Sequence, residues 1–166
     1  MKITQPITIK KLKEIYDEYF DELFGFVYVR NGFRREDAEE TIHDLFVRFW
    51  ENRERFDPDK GSLRTWLYAI LKNLLYDSYR KSGRSPKHTS LEDLDLSLIE
   101  DHDEMIDLTS ALNQLSVDDK ELLTLFYINE WSIEEISELL NKEKGAVKVS
   151  LHRARKRLRE IYEKAH

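Results

Sequence analysis

The sequence predicts an all-α fold made of two small helical domains joined by an acidic linker. The 166 residues include only five glycines and three prolines, so few positions interrupt a helix. Apolar residues recur at spacings of three and four, the period of an amphipathic helix, along most of the chain. An acidic block, from Pro86 to Ser110, separates two such periodic regions. We therefore predict a first domain at residues 1–82, a linker at 83–109 and a second domain at 110–166.

The composition excludes several classes of protein. A chain with 40% hydrophobic and 36% charged residues has enough apolar side chains to form a core. It has no cysteine, which excludes a disulfide framework and a thiolate metal site. The N-terminal segment lacks the apolar core of a signal peptide, and no apolar run approaches the roughly 18 residues that cross a bilayer. We expect a cytoplasmic protein without membrane insertion.

The first domain begins with two predicted helices. The first helix is predicted from Ile9 to Val29 and ends before Asn31-Gly32. Its apolar stripe consists of Leu12, Ile15, Tyr19, Leu23, Phe26 and Val27. The second is predicted from Glu36 to Arg53, and a loop containing proline and glycine follows at Asp57–Ser62. Its apolar face consists of Ala38, Ile42, Leu45, Phe46 and Phe49.

A third helix is predicted from Leu63 to Ser82, with Ser62 as its N-cap. One side carries Leu63, Leu67, Ile70, Leu71 and Leu74. The opposite side is predicted to carry Arg64, Thr65, Tyr68, Lys72, Tyr76, Tyr79 and Arg80. Cations of this kind bind phosphates, and exposed rings stack on unpaired bases, so this side suits single-stranded nucleic acid. An ordinary solvated helix face is the alternative.

The acidic block holds one basic residue, Lys87, against eight acidic ones. Its apolar residues are scattered, so we predict a linker with at most a short helix around Leu91 to Leu98. Composition alone assigns it no role beyond that of a solvated tether.

The second domain contains the pattern of a helix-turn-helix. Ser116 is predicted to cap a helix that runs to Ile128 and buries Leu122, Leu125 and Phe126. The motif "SIEE" at Ser132–Glu135 is a capping box for a short helix that buries Ile136, Leu139 and Leu140. Asn141 is predicted to end that helix in the left-handed conformation. A further helix begins a few residues later, which completes the helix-turn-helix.

The last helix separates an apolar side from a basic side. Val147, Leu151, Ala154, Leu158 and Ile161 share one side, and Lys148, His152, Arg153, Lys156 and Arg159 lie away from it. A short capped helix directly before a basic helix favours DNA binding, because it supports a recognition helix in the major groove. A basic amphipathic helix that binds a membrane surface or a partner protein is the alternative.

These residues resemble a known family, the extracytoplasmic-function (ECF) sigma factors of bacteria, within the sigma-70 superfamily. The segment from Asp37 to Lys81, which includes "DKGSLRTWLYAILKN", is similar to that family's first conserved domain. The segment from Ala111 to Tyr162, which includes "SIEEISELLNKEKGAVKVSLHRARKRLR", is similar to its second. The resemblance implies three partners, namely core RNA polymerase, promoter DNA and an anti-sigma factor. It implies no cofactor, metal or enzymatic activity.

The resemblance also assigns residues of the first domain. The exposed face of the second helix is expected to bind polymerase through Asp37, Glu40, His43 and Asp44, although His43-Asp44 stands where a Gln-Glu pair is common. The loop from Phe56 to Leu63 is expected to capture a flipped base of the minus-ten promoter element. The minus-ten contacts are expected from Phe56, Lys60, Ser62, Leu63, Arg64, Tyr68, Lys72, Asn73, Tyr76 and Arg80.

The second domain is expected to read the minus-thirty-five element. Base edges or nearby phosphates are assigned to Lys144, Lys148, Ser150, His152 and Arg153. Phosphates, with some contact to polymerase, are assigned to Arg155, Lys156, Arg157 and Arg159. Val149-Ser150 replaces a frequent Ser-Arg pair, which predicts an altered promoter preference. The family's linker threads through polymerase, so the acidic block is either an occupant of a basic channel or a plain tether.

Two rival functions follow from the residues alone. A DNA-binding regulator acting without polymerase would use the same helix-turn-helix, but it gives the Tyr-Lys-Arg side of the third helix no role. An enzyme fits less well, since the chain has no glycine-rich phosphate loop and no pair of histidines at metal-binding spacing. The histidines concerned are His43, His88, His102, His152 and His166.

Overall fold

The computed structural model describes residues 6–82 and 102–165, with the backbone alone described for 102–106. In these stretches every regular element is a helix, which confirms the all-α prediction. The described residues divide into two compact units. The first consists of residues 6–27 and 36–82, and the second of residues 28–35 and 102–165.

Three helices supply the core of the first unit. They are α1 (Ile9–Arg30), α2 (Arg35–Asn52) and α3 (Leu63–Ser82), each within a residue or so of its predicted bounds. The fully buried side chains include Ile15, Leu23, Phe26, Ile42, Leu45, Phe49, Leu67 and Leu71. Two ring contacts join α3 to its neighbours. Tyr68 meets Phe26 of α1 at 5.2 Å between ring centroids, and Trp66 meets Phe49 of α2 at 5.4 Å.

The connection from α2 to α3 is folded onto the start of α3. A short 3₁₀ turn, Arg53–Arg55, ends α2. The ring of Phe56 then lies 5.4 Å from that of Trp66, centroid to centroid. The hydroxyl of Ser62 accepts a hydrogen bond from the Thr65 N–H at 3.1 Å, which confirms the predicted N-cap.

Helix α4 (His102–Asn113) lies partly inside the segment predicted as linker. Residues 102–109 are helical, so the prediction of irregular chain up to Thr109 is wrong there. The physical reason is tertiary packing: α4 contacts the last helix of the chain, and Thr109, Ala111 and Leu115 are buried. The short helix predicted around Leu91 to Leu98 lies outside the described residues.

The rest of the second unit consists of three α-helices and one wider turn. They are α5 (Val117–Leu123), a π-helical turn (Thr124–Ile128), α6 (Ile133–Leu140) and α7 (Lys144–Lys164). The helix predicted to continue to Ile128 is therefore α-helical only to Leu123. Phe126, predicted as core, is only partly buried, whereas Trp131 is buried and donates its backbone N–H to the Leu125 carbonyl at 2.9 Å.

The predicted caps of the second unit are confirmed. The Ser116 hydroxyl accepts from the Asp119 N–H. Ser132 and Glu135 form both hydrogen bonds of the capping box, at 3.2 Å and 2.8 Å. Asn141 ends α6 in the left-handed conformation, with φ of 50°. Helix α7 packs on α4, α5 and α6.

Candidate nucleic-acid interface

The outer face of α2 carries the residues predicted to bind polymerase. Glu40, His43 and Asp44 are exposed and Asp37 is partly exposed, on the side of α2 opposite its buried residues. Val47 extends this face and is 43% exposed. Val47 was missed because its apolar side chain was assigned no surface role. We call Asp37, Glu40, His43, Asp44 and Val47 the acidic face.

The exposed side of α3 brings together five residues with aromatic, cationic or amide side chains. Tyr76 is 63% exposed and Tyr79 is 44% exposed. Asn73 and Arg80 are exposed beside them, and Lys72 is partly exposed. We call these five residues the α3 surface. Tyr79 was not among the expected minus-ten contacts, although its helical position had indicated this side.

Two residues expected among the minus-ten contacts are buried instead. Tyr68 has no exposed area, so its predicted place on the exposed side of α3 is wrong. Its hydroxyl donates to Glu22 Oε1 at 3.0 Å. The reason is geometric: Tyr68 follows Leu67 by about 100° around the helix, and that side is covered by α1. Leu63 is likewise buried, with 1% exposure.

Arg64 lies beside Tyr68 and forms an ion pair within the first unit. Its Nε donates to Glu22 Oε1 at 2.8 Å, and its side chain is only 23% exposed. One carboxylate oxygen of α1 therefore receives hydrogen bonds from two residues of α3. This arrangement fixes α3 on α1 and leaves Arg64 partly engaged before any DNA is bound.

The loop before α3 presents one extended cation. The side chain of Lys60 is 83% exposed and lies 3.4 Å from the carboxylate of Asp57. The hydroxyl of Ser62 is held in the cap and lies 2.9 Å from the Thr65 hydroxyl. Phe56 is partly buried against Trp66. Of the loop residues expected at the minus-ten element, Lys60 is the one most available for a phosphate.

Helix α7 separates apolar and cationic sides as predicted. Val147, Leu151 and Ala154 are buried, whereas Lys148, His152 and Arg153 are exposed. Val149 is 49% exposed, and Ser150 beside it is partly buried. Val149 is therefore the outward member of the pair for which an altered promoter preference is predicted.

The C-terminal half of α7 uses several cations within the protein. Arg157 Nη1 donates to Asp119 Oδ2 at 2.8 Å, and Arg155 Nη1 donates to the Tyr127 hydroxyl at 3.2 Å. Two further ion pairs lie along the helix, Lys156 with Glu160 at 3.8 Å and Arg159 with Glu163 at 2.7 Å. To the described residues, His152 and Arg153 make no such contact. These two residues lie between two and three turns from the N-terminus of α7.

The N-terminus of α7 is joined to α6 by an ion pair. Lys144, the first residue of α7, donates a hydrogen bond to Glu134 of α6. This bond and the charge of Lys144 lower the pKa of the Glu134 carboxyl, and the charge of Lys148 contributes. The sequence analysis did not identify Glu134 as part of the site. No local pattern signals it, because its partner Lys144 lies on the next helix.

The described residues contain neither a metal site nor a membrane span. In residues 6–82 and 107–165, no three histidine, aspartate or glutamate side chains are grouped so that they could hold a metal ion. No helix among those described is both long and apolar enough to cross a membrane.

Comparisons with known proteins place both units in one family. The family Sigma-70 region 2 matches residues 15–85, and Sigma-70, region 4 matches residues 105–158. The ECF RNA polymerase sigma factor SigW of Bacillus subtilis (strain 168) is 33% identical over 164 residues, with 88% of this chain and 86% of SigW covered. The chain belongs to the ECF RNA polymerase sigma factors. SigM of the same strain is 28% identical, with 91% of this sigma factor and 94% of SigM covered.

Solved structures agree with this assignment. The sigma factor RpoE of Bartonella quintana, solved in complex with the anti-sigma factor NepR, matches with a TM-score of 0.72 and 26% identity. The match covers 93% of this sigma factor and 98% of RpoE. CnrH, at 21% identity and a TM-score of 0.73, shows the same fold.

Membership in the family settles the general function. The protein is an alternative sigma factor, as the two conserved segments predicted. The relatives give no support to a regulator that acts without polymerase. Sigma factors are transcription initiation factors.

Proposed function

We propose that this sigma factor binds core RNA polymerase through the acidic face and directs initiation at promoters that its two domains read separately. Residues 1–82 would bind polymerase and open the minus-ten element, and residues 110–166 would bind the minus-thirty-five element. Residues 83–109 would connect them. The observation that carries this proposal is that α3 and α7 both hold exposed side chains suited to DNA on the side opposite their buried residues.

The α3 surface fits the work of strand opening. Unstacking a base costs a few kcal/mol, and stacking on an aromatic ring returns about 1–3 kcal/mol per base. Tyr76 and Tyr79 have the exposed rings for this, and Lys72 and Arg80 supply positive charge for the backbone. Asn73 is exposed on the same side and has an amide for base edges. Tyr68 contributes through the fold, since its ring is buried.

The exposed side of α7 fits a recognition helix. Residues near the N-terminus of such a helix contact base edges in the major groove, while the preceding helix crosses the backbone. Lys148, His152 and Arg153 are placed to donate hydrogen bonds. Val149 offers an apolar contact for a thymine methyl group. We propose that Val149, rather than Ser150, produces the altered base preference.

The acidic face has the chemistry for a basic partner. Carboxylates around one exposed valine can form charge pairs at the rim of an interface and an apolar contact at its centre. We propose core polymerase as this partner and an anti-sigma factor as a second partner of the protein. Because polymerase and chromosomal DNA meet in the bacterial cytoplasm, we place the activity there.

The decisive experiment is transcription from a random promoter library with purified bacterial core polymerase. We expect the sigma factor to select a set of promoters with two conserved elements. Asp44→Lys should weaken core binding by roughly ten-fold or more, because reversing a charge at an interface adds repulsion. Asp21→Lys on the exposed side of α1 is the matched control and should keep activity. A library with no active promoter would refute the proposal.

A further inference from the structure

Glu134 of α6 lies among the cations of the proposed recognition helix. It binds Lys144 directly, and the charge of Lys148 also acts on its carboxyl group. We propose that Glu134 is a specificity-determining residue that holds Lys144 away from the phosphates of non-promoter DNA and offsets the charge of Lys148. This inference rests on the proposed role of α7 in DNA binding.

The geometry places the three charges at the DNA-reading end of α7. Lys144 is the first residue of α7, and Lys148 lies one turn later on the same side of the helix. Glu134 is the second residue of α6, and the side chains of both Glu134 and Lys144 are more than half exposed. The three groups therefore lie on the surface where a duplex would bind.

Glu134 takes no part in the capping box of α6. The capping box of α6 is formed by Ser132 and Glu135, with both hydrogen bonds present. Glu134 instead reaches across to α7. A carboxylate on a DNA-binding surface repels phosphate. Any contribution of Glu134 to DNA recognition must therefore come from its effect on Lys144 and Lys148.

The ion pair changes specific and non-specific binding by different amounts. Non-specific binding depends almost wholly on lysine and arginine replacing the counterions of phosphates. A lysine already paired with Glu134 gains less from a phosphate, because it must first leave the carboxylate. Promoter binding also draws on base-edge contacts from Arg153 and His152, which no described residue engages. The pair therefore weakens non-promoter binding proportionally more.

The test measures DNA affinity of the full chain at a series of KCl concentrations. The probes are two fluorescent duplexes, one of random sequence and one with the upstream element selected in the transcription experiment. Glu134→Gln should strengthen binding to the random duplex roughly two- to five-fold, with the salt slope steeper by about 0.9 for each further phosphate that a lysine neutralises. Binding to the promoter duplex should change less, so the ratio between the two affinities should fall.

Glu138→Gln is the matched control. It removes the same charge from the same helix, one turn later, and Glu138 forms no side-chain bond to another described residue. If both variants shift binding equally, the effect is bulk charge and the inference fails. Weaker binding by Glu134→Gln to the random duplex would also overturn it.

A second background tests whether Glu134 acts through the lysines. In a chain carrying Lys144→Gln and Lys148→Gln, adding Glu134→Gln should leave the salt slope unchanged. A slope that still steepens there would contradict the inference. Because these measurements need no polymerase, their failure is separate from failure of the sigma activity, which shows as absent transcription by the unaltered chain.

Discussion

Helices α3 and α7 were predicted in the same way, each with an apolar side and an opposite side suited to DNA, and the predicted division into buried and exposed sides holds more closely in α7 than in α3. In α7 the side chains of Val147, Leu151 and Ala154 are buried, and the expected cations are exposed. In α3 the buried side is wider and includes Tyr68 and Leu75. The period of a sequence predicts which side of a helix is buried, but not how wide that side is.

The difference arises from the neighbours of each helix. Helix α3 contacts α1 through Phe26 and Glu22, and α2 through Phe49. Because α1 and α2 cover two flanks of α3, Tyr68 at the edge of its apolar side is buried, and its hydroxyl donates to the Glu22 carboxylate. Helix α7 also packs on other helices, α4, α5 and α6, but these contacts leave the positions beside its buried row exposed. A ring beside a cation is therefore a DNA surface only where no second helix covers it.

The largest effect should come from truncating Tyr68, with the exposed Tyr76 of the same helix as its counterpart. Tyr68→Ala removes a buried ring and should lower the free energy of unfolding by about 3–5 kcal/mol. Tyr76→Ala removes an exposed ring and should change it by about 0.5 kcal/mol or less. Urea denaturation followed by circular dichroism measures both.

Tyr68→Phe separates the ring from the hydroxyl. It should cost about 1 kcal/mol, because the hydrogen bond to Glu22 is lost while the ring is kept. Equal costs for Tyr68→Ala and Tyr76→Ala would show that the buried side of α3 is narrower than described.

The next effect concerns promoter opening. Tyr76→Ala should reduce the open complex by the equivalent of about 1–3 kcal/mol, the stacking energy of one base. Binding of the closed complex should remain. Fluorescence of a base analogue in the minus-ten element reports opening, and a gel-shift assay reports closed binding. Tyr76→Phe keeps the ring and should keep opening, so equal loss in both variants would argue against stacking.

Substitutions of the exposed cations of α7 should fall into two classes. Some should lower the stability of the fold, and others should weaken DNA binding alone. Arg157→Ala leaves the nearly buried carboxylate of Asp119 without its ion-pair partner and should lower stability by about 1 kcal/mol, a modest value because Arg157 is 48% exposed. Arg153→Ala should leave stability unchanged within about 0.5 kcal/mol and reduce the salt slope of promoter binding by about 0.9. Thermal unfolding and fluorescence anisotropy give the two quantities. The division fails if Arg153→Ala destabilises the fold as much as Arg157→Ala.

Whether the sequence alone predicts a feature of this structure depends on how far apart in the chain the residues that form it lie. The caps at Ser116, Ser132 and Asn141 use atoms a few residues apart, so the local pattern predicts them. The burial of Tyr68 depends on a carboxylate 46 positions away, and the helical start of α4 depends on packing against α7. Neither contact can be recognised from a periodic pattern in the sequence.

The candidate sites show the same limit. The free cations of α7 could be predicted because they lie opposite an apolar row of the same helix. The partners Asp119 and Glu134 could not, because each comes from a different helix. Pairing across helices decides which of several exposed cations is already engaged.

The smallest effect on stability should come from replacing two glycines that lie in helices. One of them, Gly145, also tests where the proposed DNA surface of α7 begins. A Cβ added at Gly25 of α1 or at Gly145 of α7 meets no atom within 4 Å. Gly25→Ala should therefore stabilise the fold by about 1 kcal/mol, and Gly145→Ala, near a helix end, by about 0.5 kcal/mol. Gly145 lies two residues before the buried Val147, so a Cβ added there would point outward, on the proposed DNA-binding side of α7. We expect Gly145→Ala to weaken promoter binding while raising the melting temperature, and Gly25→Ala to raise the melting temperature alone. If Gly145→Ala leaves promoter affinity intact, the contact surface of α7 begins at Lys148 rather than at its first turn.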